Sequence, residues 1–556
     1  MSETTDDEGF SQCELCGTGI MPEDDLQDHI EQSHYTEPAK VREYYGDKFD
    51  NLFEEDADEN DEIEESELFG RNARRKKTSL KDAESQSEKA TKEESSEEGT
   101  QEPQTSSSSG AIGNKWYLIG VGGAGGRIVD SILSRKHSME GTDKPLAGVW
   151  EKALTGHTIL NTNWNDFQGT FFFDEMNAEM EESDLLNGNT IGIEHPENDY
   201  RGCGENWQTG KEYIEHDFDD GNPIEEGDGY NIRSDDLPKS QAVMIANSTA
   251  GGTGCGAAPV LAREIKKLDN IKEKKIFGSV VLPSESDDED DVSSMANGIA
   301  GTARMARYAD AVLVFENGCL EMAAAELDFI DDLERHSQYA NKNNAILKYF
   351  EIFSMASIGV SGIGGADFDI NDALGPLEKI RDQDKEYYPN ETEDDMDFSK
   401  PGNILAPVIA KSSRNEMTEQ TIELMTERAL RQNQLADFDP STAWGGTFVF
   451  FGPEEKLDND LITGKFNDLV EEEYLDVPDG RTYIRANPNM ITVDRLDSVY
   501  LWGFLWNPDI ESINRMYEAA EWAKGDGTLT GSMTDDAWPV IEGLMEQTGR
   551  ENMGGQ

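Results

Sequence analysis

Two glycine-rich stretches, well separated along the chain, have the composition of loops that bind phosphate. The downstream stretch lies within residues 247–260, where an apolar run ending at Ala246 breaks into glycines before a helix-like pattern resumes at Pro259. Glycine has no side chain to hold an anion away from the backbone, so consecutive N–H groups and the start of the next helix can face a phosphate. The stretch therefore predicts a strand, an anion-binding loop and a helix. Its candidate binding residues are Gly251, Gly252, Thr253, Gly254, Cys255 and Gly256.

The upstream stretch has the same arrangement. Residues 116–121 are strand-like, residues 128–133 are helix-like, and the glycines lie between them. Two such units in one domain can enclose a single ligand from both sides, so we expect both loops to face one cavity that holds the phosphates of a nucleotide. The candidate residues of this first loop are Gly122, Gly123, Ala124, Gly125 and Gly126.

The elements around these loops predict an α/β fold with a doubly wound parallel-sheet nucleotide-binding domain. Apolar strands alternate with helical patterns over residues 111–337, which is typical of a parallel sheet with helices on both faces. A long central helix and a polar loop follow in residues 338–372. Residues 373–523 predict a smaller α+β domain, and residues 524–556 predict a polar tail with one helix from Trp538 to Met545.

Cysteine and histidine residues near the N-terminus have the spacing of a tetrahedral zinc site. Cys13 and Cys16 are followed by His29 and His34, as in two-cysteine, two-histidine zinc fingers. A module this small has little else to hold it together, so residues 1–46 predict a finger with structural Zn²⁺. Its helix-like segment is acidic, which opposes binding to DNA, so we expect an unknown protein partner for the finger.

The remaining composition restricts the partners and the location of the protein. Residues 47–110 are rich in Glu, Asp, Ser and Lys and predict a disordered acidic linker. The chain has 115 Asp and Glu against 48 Lys and Arg, a net charge of −67, so nucleic acid is not an expected partner. Acidity spread along the whole chain is typical of halophilic proteins, in which salt screens self-repulsion. No apolar stretch approaches the ~20 residues of a membrane span, and no signal-peptide pattern is present, so we expect a cytoplasmic protein.

The order of the loops resembles the tubulin/FtsZ superfamily of polymerising GTPases, and more closely its prokaryotic, FtsZ-like branch. Residues 119–126 are similar to the first nucleotide loop of that family, residues 161–163 to its second, and residues 202–206 fall where its third is expected. Residues 250–256 resemble the tubulin signature, with Ala250 in its first position and Cys255 in its sixth. The resemblance covers about residues 111–523 and implies GTP and GDP as ligands. It adds Asn161, Asn163, Gly202, Gly204 and Asn206 to the candidate binding residues.

The resemblance also implies a guanine pocket. Asn317 follows a strand-like run that ends at Phe315, and Tyr339 and Asn343 match the aromatic-x3-Asn pattern of the family at the start of its central helix. The ring of Tyr339 can stack on a base, and the two amides can both donate and accept along the edge of guanine. Considered alone, a tyrosine such as Tyr339 is more often a ring that packs its helix, and the order of the loops is what favours the ligand role.

An acidic segment after the central helix resembles the catalytic loop of the family, which acts on the nucleotide of the next subunit. Asp369 and Asp372 fall in its two acidic positions, and Asp367 replaces its Asn. Carboxylates at this spacing can orient the attacking water and help to place Mg²⁺ on the phosphates. A register that uses Asp367 and Asp369, and a merely solvated acidic loop, are the alternatives. The resemblance implies a head-to-tail homo-oligomer or filament that hydrolyses GTP at its interfaces, in a cytoskeletal, division or shape role.

Several departures from the family pattern favour slow or assembly-dependent hydrolysis. The segment 219–229 after the third loop is rich in helix breakers where the family has a helix. The loop 283–291 is densely acidic beside a phosphate site, where it repels a nucleotide unless cations intervene. Ala250 and Asp367 also alter signature positions.

Two other functions are compatible with parts of the sequence. The first is a non-catalytic scaffold that binds nucleotide and recruits a partner through the finger. The second is a dinucleotide-dependent oxidoreductase, because the glycines at 120, 122 and 125 satisfy G-x-G-x-x-G. That pattern is weak alone, and residues 161–163 lack the acidic group expected to bind a ribose.

Overall fold

The computed structural model describes residues 10–12, 20–22, 115–142, 146–163, 166, 190–192, 202–204, 206–220, 236–268, 274–283, 292–326, 340–355, 363–364, 368–375, 403–414, 416–432, 434–470, 474, 488–493, 496–526 and 537–547. Several predicted residues lie outside these ranges, namely Cys13, Cys16, His29, His34, Tyr339, Asp367 and the linker 47–110.

The chain divides into two compact units, Met1–Pro103 and Gln104–Gln556. In the first unit, strand β1 (Phe10–Gln12) pairs antiparallel with β2 (Ile20–Pro22), with Phe10 opposite Pro22. The two predicted cysteine ligands fall between these strands in the sequence.

Among the described residues of the second unit, an 11-stranded sheet is the central element. Its first six strands are β3 (Trp116–Val121), β4 (Leu154–Asn161), β5 (Thr190–Gly192), β6 (Ala242–Ser248), β7 (Lys275–Leu282) and β8 (Ala311–Glu316). They are parallel and lie in the order β5-β4-β3-β6-β7-β8. The chain reverses its direction of strand addition between β3 and β6, and such a reversal leaves a crevice at the carboxyl ends of the strands.

The sheet continues into the C-terminal part of the chain through β8. Strands β9 (Ile363–Gly364), β10 (Ile404–Ser412), β12 (Gly445–Gly452), β13 (Asn489–Val493) and β14 (Val499–Trp506) extend it in the order β10-β14-β12-β13-β9. Strand β10 is parallel to β8 and antiparallel to β14. The short strands β11 (Phe438–Asp439) and β15 (Asp509–Ile510) form a separate pair.

Helices lie on both faces of the sheet. In chain order they are α1 (Gly122–Met139), α2 (Val149–Ala153), α3 (Trp207–Asp220), α4 (Gly252–Lys267), α5 (Val292–Tyr308), α6 (Asn317–Glu326), α7 (Ala340–Met355), α8 (Glu419–Glu427), α9 (Asn459–Leu469), α10 (Glu511–Asp526) and α11 (Trp538–Gln547). Side chains of a strand point alternately to its two faces. Accordingly, Trp116 and Leu118 pack with α1 and α7 in one core, and Tyr117 and Ile119 pack with α4 and α5 in the other.

This arrangement confirms the predicted α/β parallel sheet with helices on both faces. The predicted helix at Trp538 to Met545 is also present as α11, and its buried residues join the core of α4 and α5. Strand β13 and helix α10 were not predicted. The boundaries at 337, 372 and 523 stay predictions.

The prediction about the segment after the third loop is wrong in its placement of the helix. Helix α3 begins at Trp207, directly after the loop, and ends at Asp220. The breaker-rich residues lie mostly beyond its end, so they do not prevent it from forming. Asn206 supplies its N-cap, because the side-chain oxygen Oδ1 accepts from the N–H groups of Gln208 at 2.9 Å and Thr209 at 3.2 Å.

Candidate functional site: two glycine loops and one cavity

Both glycine loops form the first turn of a helix. Helix α1 begins at Gly122 at the carboxyl end of β3, and α4 begins at Gly252 just after β6, its neighbour in the sheet. Neither first turn contains an acidic residue. Two helix N-termini with their unpaired N–H groups and positive dipole ends therefore lie at the same edge of the sheet, where they favour a bound anion.

The two loops touch each other. A Cβ atom added to Gly122, whose φ is +72°, would lie 3.2 Å from the backbone nitrogen of Gly254 and 3.4 Å from Cβ of Thr253. A Cβ on Gly125 would overlap the carbonyl oxygen of Ala246, and a Cβ on Gly254 would overlap that of Ser248. These glycines are therefore required for the close packing of the loops, in addition to any contact with a ligand.

Gly251 differs from these glycines. A Cβ atom on Gly251 would meet no protein atom within 4 Å, and its backbone is extended, with φ −91° and ψ 151°. Alanine therefore fits the protein at this position. Gly251 provides a position where the need for a bare backbone can be tested without disturbing the fold.

A cavity of about 270 Å³ lies beside the loops. The cavity is lined by Ala124 of the loop 122–126 and by Ala250 of the loop 250–256. The predicted base-contacting residues Asn317 and Asn343 line it as well. Asn317 begins α6 directly after β8, and Asn343 lies buried in the first turn of α7. The structure thus brings the predicted phosphate end and the predicted base end into one cavity. Its other lining residues are Arg127, Ile128, Ser248, Val281, Pro283, Leu320 and Ile346.

The second loop is held by side chains of its own and of its neighbours. Asn161 Nδ2 donates to Asp166 Oδ2 at 2.9 Å, and Asn163 Nδ2 donates to Asp166 Oδ1 at 3.1 Å. Between them, the buried hydroxyl of Thr162 lies 2.6 Å from Thr253 Oγ1 in the fourth loop. The second and fourth loops are therefore fixed to each other by a buried hydrogen bond.

The third loop packs against the second and fourth. The N–H of Gly202, which has φ +87°, donates to the carbonyl oxygen of Thr162 at 3.0 Å. The thiol of Cys203 lies 3.1 Å from Thr253 Oγ1, and a Cβ on Gly252 would lie 2.5 Å from the nitrogen of Asn206. The described residues of the four loops, 122–126, 161–163 with 166, 202–204 with 206, and 250–256, form one contiguous structure, which we call the cradle.

Two predicted binding residues use their side chains within the fold. Cys255 donates its thiol proton to the carbonyl oxygen of Thr249 at 2.6 Å, and complete burial raises the pKa of this thiol well above its ordinary value. Asn206 uses its side-chain oxygen as the N-cap of α3. A ligand contact from either residue would therefore come from its remaining groups.

A buried arginine supports the cradle from the side of α5. The Arg304 guanidinium lies 4.6 Å from the centre of the Trp207 ring and donates to the carbonyl oxygen of Cys255 at 3.3 Å. Burial lowers the pKa of Arg304 to about 10, which still leaves it a cation at neutral pH. It thus connects the start of α3 with the first turns of α4.

The acidic segment after the central helix has a different structure. Residues 370–375 are helical, and Asp369 Oδ1 accepts from the N–H groups of Asn371 at 2.8 Å and Asp372 at 3.1 Å. In return, the N–H of Asp369 donates to Asp372 Oδ2 at 3.1 Å. This reciprocal arrangement is a capping box, with Asp in the place of the usual Glu or Gln.

The acidic segment packs on the C-terminal strands of the sheet. Phe368 packs on Trp502 of β14, with ring centres 6.4 Å apart, and Thr447 of β12 donates to the carbonyl oxygen of Ala373. Strand β14 is four positions from β6 and two positions from β8 in the sheet, separations of about 19 Å and about 10 Å at the usual strand spacing. Asp369 and Asp372 are not among the residues that line the cavity.

A buried ion cluster connects the cradle helix with the central helix. Glu351 of α7 accepts from Arg135 Nε at 3.2 Å and from Lys348 Nζ at 2.8 Å. Burial opposes the charge on Glu351, but Lys348 and Arg135 outweigh it and hold the pKa of this carboxyl below its ordinary value. The cluster fixes α1 against α7 and so holds Asn343 in relation to the first loop.

Sequence reasoning missed three residues of this site. Asp166 joins the two asparagines of the second loop, Thr162 joins the second and fourth loops, and Arg127 lines the cavity. Arg127 and Asp166 each follow a predicted motif within three residues, so proximity to the loops was the available signal.

In the part of the chain that the structure describes, no helix has the length and apolarity to cross a bilayer, and no group of three or more metal-ligating side chains occurs.

Residues 115–324 match the family described as the tubulin/FtsZ family, GTPase domain. The chain is 26% identical over 220 residues to tubulin-like protein CetZ3 of Haloferax volcanii. The aligned region covers 38% of this chain and 46% of CetZ3. It is 22% identical over 337 residues to CetZ1 of the same organism, and this aligned region covers 57% of this chain and 75% of CetZ1. The chain thus spans about half the length of the first of these relatives.

Two solved structures have similar folds. CetZ2 from Haloferax volcanii, described as a GTPgS-bound protofilament, gives a TM-score of 0.53 at 18% identity and covers 75% of this chain and 100% of that chain. CetZ1 from the same organism, described as a GDP-bound monomer, gives a TM-score of 0.51 at 16% identity and covers 74% of this chain and 99% of that chain. Together with the family match, they support an α/β parallel-sheet tubulin/FtsZ-like fold, in which residues 115–324 are similar to the GTPase domain of that family.

Proposed function

We propose that this protein binds GTP and GDP in the cavity beside the cradle, assembles head to tail, and hydrolyses GTP at the interface between successive copies. The observation that carries this proposal is the contact between Gly122 and Gly254 beside a cavity whose other lining residues include Asn317 and Asn343. Bare backbone at one end and amides at the other suit a phosphate tail and a guanine base, respectively.

The chemistry of the cradle fits an anionic ligand. The first turns of α1 and α4 supply N–H groups and contain no acidic residue of their own. Magnesium ion, when bound with the nucleotide, would neutralise phosphate charge. The residues of this chain that we propose at the phosphates are those of the loops 122–126 and 250–256, with 161–163 and 202–206 beside them.

Hydrolysis by a neighbouring copy is supported by the position of the acidic segment outside the lining of the cavity. Asp369 and Asp372 do not line the cavity of their own chain, and Phe368 beside them packs on β14, four strands from β6. Both carboxylates are partly or largely exposed, so a second copy placed head to tail could receive them. Asp367 stays a third candidate for this role.

Gly251→Ala tests the binding part of the proposal. Because the added methyl group meets no protein atom, we expect an unchanged melting temperature and a loss of at least about tenfold in GTP affinity, from a methyl that occupies phosphate space. The matched control is Gly464→Ala in α9, where a Cβ also meets nothing within 4 Å. Equal GTP affinity for wild type and both variants, measured by fluorescence titration in high KCl, would contradict the proposed site.

Mixing two defective proteins tests hydrolysis between copies. Asp372→Ala lacks the acidic group but keeps its cavity, whereas a Gly251→Arg variant keeps the acidic group but has a blocked loop. Each alone should release little phosphate from GTP. In a 1:1 mixture, about one interface in four would combine a working cavity with a working acidic segment, so activity should rise to about a quarter of the wild-type rate. No gain on mixing would contradict catalysis between copies.

A non-catalytic scaffold is the second candidate, and one observation favours it. The carboxylates of Asp369 and Asp372 already cap their own helix, which is a sufficient structural reason for both residues. This candidate predicts GTP binding and assembly with equal, negligible phosphate release by wild type and Asp372→Ala. An oxidoreductase would instead bind NADH and not GTP.

We also propose that residues 1–46 bind Zn²⁺ through Cys13, Cys16, His29 and His34 and recruit a protein partner. The support is the spacing of these residues together with the pairing of β1 and β2 on either side of the two cysteines in the sequence. Metal analysis of the full chain should give one Zn²⁺ per protein, and Cys13→Ser should remove it. Retention of zinc by that variant would contradict the ligand set.

A further inference from the structure

A proline interrupts the backbone hydrogen bonds of α4 close to the cradle. Helix α4 runs from Gly252 to Lys267 and contains Pro259. In an α-helix the N–H of each residue donates to the carbonyl oxygen four positions earlier, so the usual donor to the carbonyl of Cys255 is the N–H of residue 259. Proline has no N–H, and its ring crowds that same carbonyl. The carbonyl of Cys255 has therefore lost its usual donor.

A side chain of α5 supplies the missing donor. Arg304 Nη1 donates to the carbonyl oxygen of Cys255 at 3.3 Å. Gly301 allows this approach, because a Cβ atom added to it would lie only 3.1 Å from Cα of Cys255 and 2.9 Å from its Sγ. Residues three apart lie on one face of a helix, so the close packing at Gly301 brings Arg304 to the carbonyl. A guanidinium thus takes the place of a backbone N–H in α4.

The guanidinium brings a positive charge that a backbone N–H does not carry. Arg304 is 7% exposed, and among the described residues no carboxylate lies within ion-pair distance of it. Glu215 of α3 attracts it through space but pairs with Arg263 at 3.1 Å. A buried cation without an anion of its own costs stability in the free protein. An anion bound near α4 would offset that cost.

The hydrogen bonds of α4 connect this charge with the phosphate loop. The peptide group whose carbonyl accepts from Arg304 carries the N–H of Gly256, which donates within the helix to the carbonyl oxygen of Gly252. The peptide group of that carbonyl carries the N–H of Thr253, which is in the first turn and has no acceptor within the helix. Hydrogen bonds in such a chain polarise one another, so a cation at one end strengthens the donor at the other.

We propose that Arg304 strengthens the binding of phosphate at the start of α4, as the substitute for the N–H that Pro259 lacks and as a buried cation behind the loop. This inference rests on the proposed function, because the phosphates belong to the same nucleotide. Arg304 acts through the backbone of α4 and is therefore a positioning residue. Because the attraction grows with the charge of the ligand, GTP gains more than GDP, and Arg304 contributes to a preference for the triphosphate.

The test measures GTP and GDP affinity by fluorescence titration of the full chain at one fixed KCl concentration. Arg304→Gln keeps an amide that can donate to a carbonyl but removes the charge. We expect its GTP affinity to fall by at least about tenfold and its GDP affinity by less, so that the ratio of the two falls by at least about threefold. Arg304→Lys keeps the charge and should hold this ratio within about twofold of the wild-type value.

Arg307→Gln is the matched control. Arg307 lies on the same helix, but its guanidinium lies over the ring of Tyr308, 5.4 Å from the ring centre, and not over Trp207 at the start of α3. The control removes the same charge and should leave the ratio of GTP to GDP affinity unchanged.

Pro259→Ala separates the hydrogen bond from the charge. It restores an N–H at position 259, so in combination with Arg304→Gln it should recover most of any loss in melting temperature. The ratio of GTP to GDP affinity should stay low in the double variant, because the charge is still missing. The double variant also carries the comparison if Arg304→Gln alone is unfolded at the assay temperature.

The results that would overturn this inference differ from those that would overturn the proposed function. Equal losses of GTP and GDP affinity in Arg304→Gln, or full recovery of both affinities in the double variant, would leave Arg304 a purely structural role. A ratio that falls equally in Arg307→Gln would show a general effect of charge, and one that falls in Arg304→Lys would contradict the role of the cation. Failure of the wild-type protein to bind either nucleotide would overturn the proposed function, and this inference with it.

Discussion

The cradle and the acidic segment 368–375 are held in place by different kinds of contact. The cradle is closed on itself, because glycines let the backbones of its loops touch one another and two buried hydroxyls join the second and fourth loops. The acidic segment is held at its base by Phe368 on Trp502, and, among the described residues, its carboxylates accept from the N–H groups of its own helix start. The cradle loops approach closely because their glycines have no side chains, whereas the acidic segment has partly or largely exposed carboxylates.

This difference determines what a mutation can reveal. In the cradle, close packing and the proposed ligand binding involve the same glycines, so most substitutions should change both. In the acidic segment, capping contributes little to stability, so a loss of the proposed hydrolysis can be separated from a loss of fold.

Gly125→Ala should have the largest effect. The added methyl group overlaps the carbonyl oxygen of Ala246 in β6, and backbone atoms cannot move away as a flexible side chain could. We expect a loss of at least about 3 kcal/mol of unfolding free energy, together with the loss of GTP binding. Urea denaturation followed by circular dichroism measures the first quantity. A stable Gly125→Ala protein would show that the loops are less closely packed than the structure indicates.

Glu351→Gln should be nearly as destabilising at neutral pH. It leaves Arg135 and Lys348 buried without their anion, which costs about 3 kcal/mol. Because the pKa of Glu351 is lowered in the folded state, its contribution is present above the ordinary value of 4.5 and is lost as the pH falls through the folded value. The difference in unfolding free energy between wild type and variant should therefore shrink below about pH 4.5. A difference that is constant with pH would contradict the ion cluster.

Asp372→Ala should cost about 1 kcal/mol, because it removes one half of a capping box. Phosphate release from GTP in assemblies should fall far more, by about a hundredfold or more if the residue places the attacking water. Asp458→Ala is the control, because Asp458 caps α9 through the N–H of Leu461 at 3.1 Å. It should match the loss of stability and keep the hydrolysis rate. Equal hydrolysis by both variants would leave only the structural role.

Thr162→Val should have the smallest effect of the four. It removes the hydroxyl that lies 2.6 Å from Thr253 Oγ1 while keeping the volume of the side chain. The expected loss is about 1 kcal/mol or less, since Cys203 still lies within reach of Thr253. GTP affinity should decrease by severalfold through looser contact between the second and fourth loops. A larger decrease than for Gly251→Ala would show that the hydroxyl, and not the bare backbone, dominates the site.

The sequence predicted the cradle because its requirements are local. A strand, a run of glycines and an amphipathic helix are each readable from a few consecutive residues, and parallel strands bring their carboxyl ends together. Asp166 could not be identified in this way, since its role depends on the side chains of Asn161 and Asn163 and on the approach of Gly123. The capping role of Asp369 and Asp372 was missed because the short helix 370–375 has too few residues for a periodic pattern.

The C-terminal strands could be predicted one by one, but their pairing within the sheet could not. Residues 404–412 and 499–506 are apolar enough to read as buried strands, yet nothing local indicates that β10 pairs with β8 of the N-terminal half of the sheet. That pairing depends on packing between residues almost a hundred positions apart. The same limit explains why the ion cluster of Arg135, Lys348 and Glu351 was not foreseen.

The join between β8 and β10 has a mechanical consequence. These strands are in register through Val312 with Ile404 and Leu313 with Leu405, whereas β10 and β14 are paired from Leu405 to Ser412. Twisting of the C-terminal strands therefore disturbs few hydrogen bonds between β8 and β10 before it reaches Glu316. The N–H of Glu316 donates to the carbonyl oxygen of Leu435 at 2.8 Å. Glu316 directly precedes Asn317, so twisting of one half by a neighbouring molecule would be transmitted to the wall of the cavity within a single residue.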